Sequence, residues 1–404
     1  MTDNGVIKMA KTKLVLFPGS GKSYEFASKI GDILSKDYGL GKRIYLPASG
    51  DEADRTDKGP YRPLFVGFFD DKDPRVEGGE DEVSNFNKQF VAVVNYLYEP
   101  ESSASINDKF METISMFYLL KNNASPLRKV LVAPYLPYVR AHSVDKYKNR
   151  GFIEEDRLEM FVDMLAKAEV QDIFTIHPHS EKVIDYCKAR GIRPHAKESF
   201  RNDKYIDPRK LGFGSDGKAG YVLDKLQPIV NEVKRLKQKA DQEGKKFYVV
   251  VPDDSAETLV ETLAIDSGIG YNLILNILKE RIDAGIVSIK GLKDFCMPDP
   301  DDLRGSMCAI ADDMTSSGNT QDEIGRFLKN KHGVGYVCGI VSHAACPDKA
   351  AVNNLRYIDD FIALDTIPQS TEKIKFLDSS ADILAASLYR CFSREMAKLG
   401  ERVN

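Results

Sequence analysis

The stretch that decides the fold is 307–320, which reads MCAIADDMTSSGNT. An apolar run stops at Asp312 and Asp313 and then turns, through small hydroxylic residues, into the helix-like segment 322–331. The pattern predicts a strand, a loop and a helix. Small residues let backbone N–H groups approach an anion, and a helix N-terminus adds further donors. From spacing alone, an ordinary acidic turn rich in Ser and Asn fits equally well.

The composition is that of a soluble globular protein with room for two domains. The chain has 404 residues, of which 42% are hydrophobic and 29% are charged, and such a chain buries substantial cores. No apolar run approaches the length of a membrane span. The net charge of −4 implies no bulk attraction to nucleic acid or lipid. We therefore expect no nucleic-acid partner and no membrane association.

The cysteines and the N-terminal residues favour a cytoplasmic location. The six cysteines are scattered, and no Cys-x-x-Cys pair occurs among them. This spacing predicts reduced thiols and no zinc site. Residues 1–11 lack the apolar segment of a secretory signal.

Predicted strands and helices alternate along the chain. The apolar runs that we interpret as strands are 13–17, 64–69, 90–97, 130–133, 172–176, 247–251, 336–341 and 361–364. Apolar residues with helical spacing predict helices at 24–35 and 381–398. They also predict a helix that includes Phe110 and begins at Asn107 or Asp108. This alternation predicts an α/β protein with doubly wound, mostly parallel sheets. Ligands bind such sheets at the carboxyl ends of strands, where the sequence puts Asp71, Arg140, His179 and Asp313.

The segment Pro-Gly-Ser-Gly-Lys-Ser at 18–23 looks like a nucleotide-binding P-loop. That motif needs a glycine five residues before Gly21, and this position is Leu16. We therefore interpret the segment as a turn between a strand and a helix. Two polar segments without periodicity, 47–62 and 199–223, are interpreted as insertions.

Taken in order, several motifs resemble those of the ribose-phosphate diphosphokinases, the synthetases of phosphoribosyl diphosphate. Residues 67–73 are similar to the family's flag loop, 134–140 to its Pro-Tyr-Phe-x-Tyr-x-Arg stretch, and 175–180 to its Thr-Val-Asp-Leu-His-Ser. Pro252-Asp253, the Asp-Asp-Met stretch 312–320 and Asp365-Thr366-Ile367-Pro368 match the family's later motifs. The resemblance covers about 12–395, and it depends on the order and number of the motifs.

The resemblance implies two phosphoribosyltransferase-like domains. The first would span 12–194, with the insertion near 47–62. The second would span 195–380 and carry the ribose-phosphate loop. Residues 381–404 would form a C-terminal helix that packs on the N-terminal domain.

The same resemblance implies transfer of the β,γ-diphosphoryl group from Mg-ATP to the C1 hydroxyl of a ribose 5-phosphate. Lys279 and Arg281 would be catalytic, and His179 and Asp253 would bind Mg²⁺. The ATP site would comprise Phe69, Asp71, Asp73, Arg140 and His142, the first three from a neighbouring subunit of a homo-oligomer. The ribose-phosphate site would comprise Asp312, Asp313, Thr315, Ser316, Ser317, Gly318, Asn319 and Thr320.

Departures from the family pattern leave alternatives open. The basic run after Arg140 is replaced by Ala-His-Ser-Val at 141–144, and His177 replaces an acid that assists the metal. The family's paired glycines become Gly318-Asn319, and Asn is a residue that can adopt a left-handed conformation. One alternative keeps the reaction with ADP-ribose as the acceptor, for NAD recovery. Another is a catalytically silent regulatory homologue.

Overall fold

The fold is described from a computed structural model, which covers residues 11–47, 65–68, 71, 73–139, 155–196, 226–252, 256, 259–260, 263, 266–270, 273–283, 286–292, 300–347 and 349–403. Its strands are β1 (Leu14–Pro18), β2 (Ile44–Tyr45), β3 (Phe65–Phe68), β4 (Pro74–Glu77), β5 (Phe90–Val94), β6 (Arg128–Val132), β7 (Asp172–Phe174), β8 (Arg193–His195), β9 (Phe247–Val251), β10 (Ile274–Asp283), β11 (Ile286–Leu292), β12 (Met307–Thr315), β13 (Tyr336–Ala344), β14 (Asp360–Leu364) and β15 (Ile374–Leu377). Its helices are α1 (Ser23–Lys36), α2 (Glu80–Ser84), α3 (Ile106–Asn123), α4 (Arg157–Lys167), α5 (Lys182–Ala189), α6 (Gln227–Gln242), α7 (Pro300–Leu303), α8 (Asn319–His332), α9 (Lys349–Asn353) and α10 (Ser380–Lys398).

Two large sheets organise these elements. The first has six strands in the order β2-β1-β5-β6-β7-β8, and all of its pairs are parallel. The second has seven strands in the order β11-β10-β9-β12-β13-β14-β15, and only β10 and β11 pair antiparallel in it. The predicted α/β class with mostly parallel sheets is confirmed.

Apolar runs explain the central strands. Every residue of β1, β5, β6 and β9 is buried, because helices cover parallel sheets on both faces. In β12 the first five residues are buried and the next two, Asp312 and Asp313, are half-buried. The ladder with β13 continues as far as Thr315. The expected end of the strand at the two carboxylates is therefore wrong by two residues.

The start of α3 corrects the predicted helix cap. We expected Asn107 or Asp108 to open this helix, whereas the N-cap is Ser105. The Ser105 hydroxyl accepts from the Asp108 amide at 3.2 Å, and the Asp108 carboxylate accepts from the Ser105 amide at 2.7 Å. This reciprocal capping box satisfies two N–H groups that the helix itself cannot pair.

Helix α10 packs against elements of the first sheet. The rings of Phe392 and Phe90 meet edge to face at 5.6 Å, and those of Tyr389 and Tyr38 stack at 4.5 Å. Arg128 on β6 donates to Glu395 on α10 at 3.2 Å. Aromatic burial and an ion pair thus anchor the last helix to the first half of the chain.

Two further regions differ from the expected pattern. The run at 64–69 does not join a parallel sheet, because β3 pairs antiparallel with β4 in a separate two-stranded ribbon. Residues 275–278, which were not predicted as a strand from the sequence, belong to β10 of the β10–β11 hairpin. Within the described residues, no helix is both long and apolar enough to cross a bilayer.

Candidate functional site

The loop between β12 and α8 forms a tight turn around Gly318. The Thr315 hydroxyl accepts from the Gly318 amide at 3.0 Å. Gly318 has φ 75° and ψ −2°, and a Cβ there would lie 2.6 Å from Cδ1 of Leu355. Only glycine fits this left-handed position without strain. The left-handed residue of this turn is therefore Gly318, and Asn319 is the exposed first residue of α8.

The two carboxylates on β12 have different partners. Asp312 accepts from the backbone amide of Asp313 at 2.9 Å and from Nε2 of Gln321 at 3.2 Å. Gln321 is 2% exposed and also accepts from the Thr315 hydroxyl at 3.3 Å. Asp312 is therefore held from two directions, at the edge where the predicted phosphate loop begins.

Asp313 pairs with the first half of the chain. Its Oδ2 is hydrogen-bonded to Nδ1 of His179. Burial opposes ionisation of Asp313, but the hydrogen bond and charge of His179, together with the charge of His177, lower the pKa of this carboxyl. The structure thus brings together one predicted metal ligand and one predicted ribose ligand.

A second set of contacts fixes the backbone before His179. His177 has φ 37°, a strained value for a residue with a side chain. Its Nδ1 lies 2.7 Å from the Ser342 hydroxyl, and its carbonyl oxygen lies 2.9 Å from Nε2 of His343. Nδ1 of His343 lies 2.8 Å from the Thr366 hydroxyl. Burial lowers the pKa of His343, so the neutral ring donates from Nε2 to His177 and accepts from Thr366 at Nδ1.

The late Asp-Thr-Ile-Pro motif has a structural role in this arrangement. Asp365 accepts from the backbone amides of Ser379 and Ser380 at 3.1 and 2.8 Å, at the start of α10. Thr366 holds His343, as described above. The motif therefore ties the last helix and the buried histidine to the same end of β14.

The segment at 18–23 already holds internal anions. The Ser20 amide donates to Glu112 at 3.0 Å, and the Lys22 amide donates to Glu99 at 3.3 Å. Lys109, which is 1% exposed, lies 2.7 Å from Glu99. Side chains of the protein thus occupy the N–H groups that a P-loop offers to phosphate. This arrangement explains why the segment acts as a structural turn.

The predicted ATP and catalytic residues are only partly described. Asp71 and Asp73 are exposed at the tip of the β3–β4 ribbon, where the Asp73 amide donates to Asp71 at 3.2 Å. We had expected Asp71 to lie at the carboxyl edge of a parallel sheet. This expectation is wrong, because Asp71 lies on the two-stranded ribbon. Lys279 is half-buried on β10, and for Arg281 the backbone alone is described. Phe69, Arg140, His142 and Asp253 lie outside the described residues.

The donor set around His179 suits a divalent cation. A carboxylate that hydrogen-bonds one imidazole nitrogen orients the ring for a metal at the other. Mg²⁺ typically uses one or two carboxylates, waters and substrate phosphates. Asp313 and His179, with side chains 18% and 21% exposed, meet this requirement.

Another group of possible metal ligands serves a different purpose. Within the described ranges, ligand atoms of Asp172, His195 and Cys391 lie within 4.8 Å of one another. Arg128 donates to Asp172 at 2.6 Å, and His195 lies 2.8 Å from the same carboxylate. A guanidinium in this position disfavours a cation. The group is therefore an ion-pair cluster beside α10.

Sequence reasoning missed four residues of the site, namely Gln321, Ser342, His343 and Thr366. Gln321 lies directly after the stretch 307–320. It is a polar residue in a buried position, and this combination was the signal that could have identified it. Ser342 and His343 follow a predicted apolar strand directly, which is the position where parallel sheets carry functional groups. Thr366 belongs to the late Asp-Thr-Ile-Pro motif, to which the sequence alone assigns no role.

Comparison with known proteins shows similarity to one group of enzymes. No protein-family model matches the sequence. The chain is 25% identical over 292 residues to the ribose-phosphate pyrophosphokinase of Shewanella oneidensis, covering 72% of this chain and 77% of that protein. It is 30% identical over 133 residues to the ribose-phosphate pyrophosphokinase of Methanopyrus kandleri, a match that spans 33% of this chain and 42% of that relative.

A solved structure shares the fold. The phosphoribosylpyrophosphate synthetase from Mycobacterium smegmatis superposes with a TM-score of 0.65, covering 95% of this chain and 100% of that one at 17% identity. The ribose-phosphate pyrophosphokinase of Marinomonas sp. is 22% identical over 342 residues, which cover 83% of this chain and 90% of the relative. These alignments show that the chain is similar to ribose-phosphate pyrophosphokinases, and the superposition shows that it shares the fold of a phosphoribosylpyrophosphate synthetase.

Proposed function

We propose that the protein is a diphosphokinase that transfers the β,γ-diphosphoryl group of ATP to the C1 hydroxyl of a ribose 5-phosphate. The observation that carries the proposal is the pairing of His179 with Asp313 beside the Gly318 turn. This pairing supports the proposal because the proposed cation ligand contacts a carboxylate proposed to bind the sugar, close to the turn proposed to bind phosphate. The relatives named ribose-phosphate pyrophosphokinases support the same reaction class.

The reaction needs little covalent chemistry from the protein. The C1 hydroxyl oxygen attacks the β-phosphorus of ATP, the bond from that phosphorus to the oxygen shared with the α-phosphate breaks, and AMP leaves. The hydroxyl loses its proton. Catalysis of phosphoryl transfer depends mainly on positioning and on neutralising charge.

Each residue of the proposed site has a part in this scheme. Asp312 and Asp313 accept hydrogen bonds from the ribose hydroxyls. The Thr315–Gly318 turn and the first N–H groups of α8 bind the 5′-phosphate. A bound Mg²⁺ supplies neutralisation of the phosphate charge, with His179 and Asp253 as its proposed protein ligands. Lys279 and Arg281, on the β10–β11 hairpin, approach the transferred group with two further positive charges.

A second acceptor, ADP-ribose, is favoured by the open end of the turn. Asn319 is exposed, and Ser317 is half-buried beside it. The Ser317 hydroxyl accepts from the Asn319 amide at 3.4 Å. Polar, accessible side chains at this point can accommodate a group attached to the 5′-phosphate, while Asp312 and Asp313 bind the same ribose diol.

The experiment is a comparison of acceptors. The purified protein is incubated with Mg-ATP and either ribose 5-phosphate or ADP-ribose, and AMP is measured. AMP with ribose 5-phosphate supports the first acceptor, and AMP with ADP-ribose alone supports the second. Absence of AMP with both contradicts the proposed reaction for these acceptors and favours a silent homologue.

A further inference from the structure

We infer that Gln321 is a positioning residue that couples the phosphate turn to the ribose-binding carboxylate Asp312. The inference rests on the proposed function and extends it to a side chain outside the recognised motif. Gln321 lies in the first turn of α8 and is 2% exposed. Its side chain points back across the loop to β12 and contacts two residues there.

A continuous chain of hydrogen bonds runs through Gln321. The Gly318 amide donates to the Thr315 hydroxyl at 3.0 Å, and this hydroxyl donates to Oε1 of Gln321 at 3.3 Å. Nε2 of Gln321 then donates to Oδ2 of Asp312 at 3.2 Å. Hydrogen bonds arranged in series polarise one another, most strongly in surroundings shielded from water. A phosphate that orders the Gly318 turn thereby orders Asp312 as well.

The chain requires an amide at this position. Thr315 has a single proton, which it gives to Gln321 while accepting from Gly318, so position 321 needs an acceptor facing Thr315. Asp312 needs a neutral donor, because a second carboxylate 3.2 Å away would repel it. Leucine has a similar volume but offers neither group. Glutamate keeps the acceptor and loses the donor.

The other oxygen of Asp312 is held by the backbone. Oδ1 accepts from the Asp313 amide at 2.9 Å, and this contact does not depend on any side chain beyond Asp312 itself. Loss of Gln321 therefore removes a side-chain hydrogen bond that orients Asp312, while the contact with the Asp313 amide remains. The expected defect is misorientation of the carboxylate toward the diol, without collapse of the loop.

The test compares Gln321→Leu, Gln321→Glu and Thr315→Val with the wild-type chain. We expect Gln321→Leu and Thr315→Val to raise KM for the ribose acceptor at least about tenfold, since each removes a hydrogen bond in a network that ends at a charged group. KM for ATP should change less than about twofold. Gln321→Glu should be no better than Gln321→Leu. The double variant of Gln321→Leu and Thr315→Val should lose less acceptor-binding free energy than the two single variants lose together. Both substitutions interrupt the same chain of hydrogen bonds.

The matched control is Gln242→Leu, at the exposed end of α6, which should leave both KM values unchanged. Calorimetric binding of each acceptor without ATP gives a second readout. If the wild type binds and converts an acceptor but Gln321→Leu retains the wild-type acceptor KM and affinity, the Gln321 inference is overturned alone. If the wild type neither binds nor converts either acceptor, the proposed function fails and the inference fails with it.

Discussion

Nε2 of His343 lies 2.9 Å from the carbonyl oxygen of His177, and this hydrogen bond joins the second half of the chain to the segment that carries His179. His343 is 1% exposed, and its ring lies 5.2 Å from that of Tyr135, edge to face. The strained backbone at His177 is therefore supported by a buried donor from β13. The orientation of the proposed metal ligand depends on contacts between the two halves.

Replacement of His343 tests this support. We expect His343→Leu to lower the free energy of unfolding by about 1–3 kcal/mol, because it leaves the His177 carbonyl without its buried donor. His343→Gln retains a donor and should lose less. Chemical denaturation measures both. Equal stability of His343→Leu and the wild type would contradict the assigned role.

The pH dependence of stability provides a separate check. Because burial lowers the pKa of His343 in the folded chain, the unfolded chain binds more protons below its ordinary histidine pKa of about 6.5. The stabilising contribution of neutral His343 is therefore complete above that pH and is lost as the pH falls below it. We expect the difference in unfolding free energy between wild type and His343→Gln to shrink between about pH 6.5 and pH 5. A constant difference would indicate that the ring titrates normally.

Gly318→Ala tests the left-handed turn. The substitution adds a Cβ at φ 75° and 2.6 Å from Leu355. We expect a loss of about 1–3 kcal/mol in unfolding free energy, with weaker acceptor binding. Gly305→Ala is the matched control, because Gly305 has φ 70° but no heavy atom within 4 Å of the position that a Cβ would take. Gly305→Ala should lower the free energy of unfolding by about 1 kcal/mol or less. Equal losses for the two variants would mean that the Leu355 side chain moves aside without a significant energetic penalty.

Arg128→Met tests the anchor of α10. Arg128 contacts Asp172 and Glu395 at 2.6 and 3.2 Å, and Asp172 is 0% exposed. Removal of the guanidinium takes away the main cation that pairs with the buried carboxylate of Asp172. We therefore expect the free energy of unfolding to fall by about 3 kcal/mol or more. Lys398→Ala removes a surface partner of the same Glu395, at 3.0 Å and 61% exposed, and should cost less than about 1 kcal/mol. In thermal unfolding, Arg128→Met should therefore have a lower Tm than Lys398→Ala.

Lys279→Ala tests the proposed catalytic role of the β10–β11 hairpin. We expect turnover to fall about a hundredfold or more while the fold stability changes little, because the charge acts on the transferred phosphate. Lys290→Ala, an exposed change on the neighbouring strand β11, is the control and should retain full activity. Steady-state kinetics with saturating ATP measures both. An unimpaired Lys279→Ala would show that the proposed catalytic cation lies elsewhere.

The sequence predicted most of the central strands because these elements carry local signals. The strand at 247–251 was predicted at its observed limits, and the unit at 307–332 was placed by its apolar run and small residues. The β10–β11 hairpin was not predicted, because four charged residues at 279–281 and 283 interrupt the strand pattern. The attachment of β10 to the sheet depends on pairs with β9 such as Ile274 with Val249, which are distant in sequence.

The sequence identified candidate site residues where a motif carries its own chemistry. Asp312, Asp313 and His179 could be named from their positions after apolar runs. The contacts of His343 and Gln321 could not be predicted, because they depend on tertiary pairs separated by 166 and 9 residues respectively. The sequence did not identify Gly318 as the left-handed residue and Asn319 as the first residue of the helix, since sequence alone does not fix where a turn ends and a helix begins.

The most direct test of the account is AMP formation by the purified protein with Mg-ATP and a ribose-phosphate acceptor. We predict AMP in equal amount to the diphosphorylated sugar, with ribose 5-phosphate or with ADP-ribose, and loss of both products in His179→Ala. Hydrolysis of ATP without a diphosphorylated sugar, or no AMP with either acceptor, would contradict the proposed transfer.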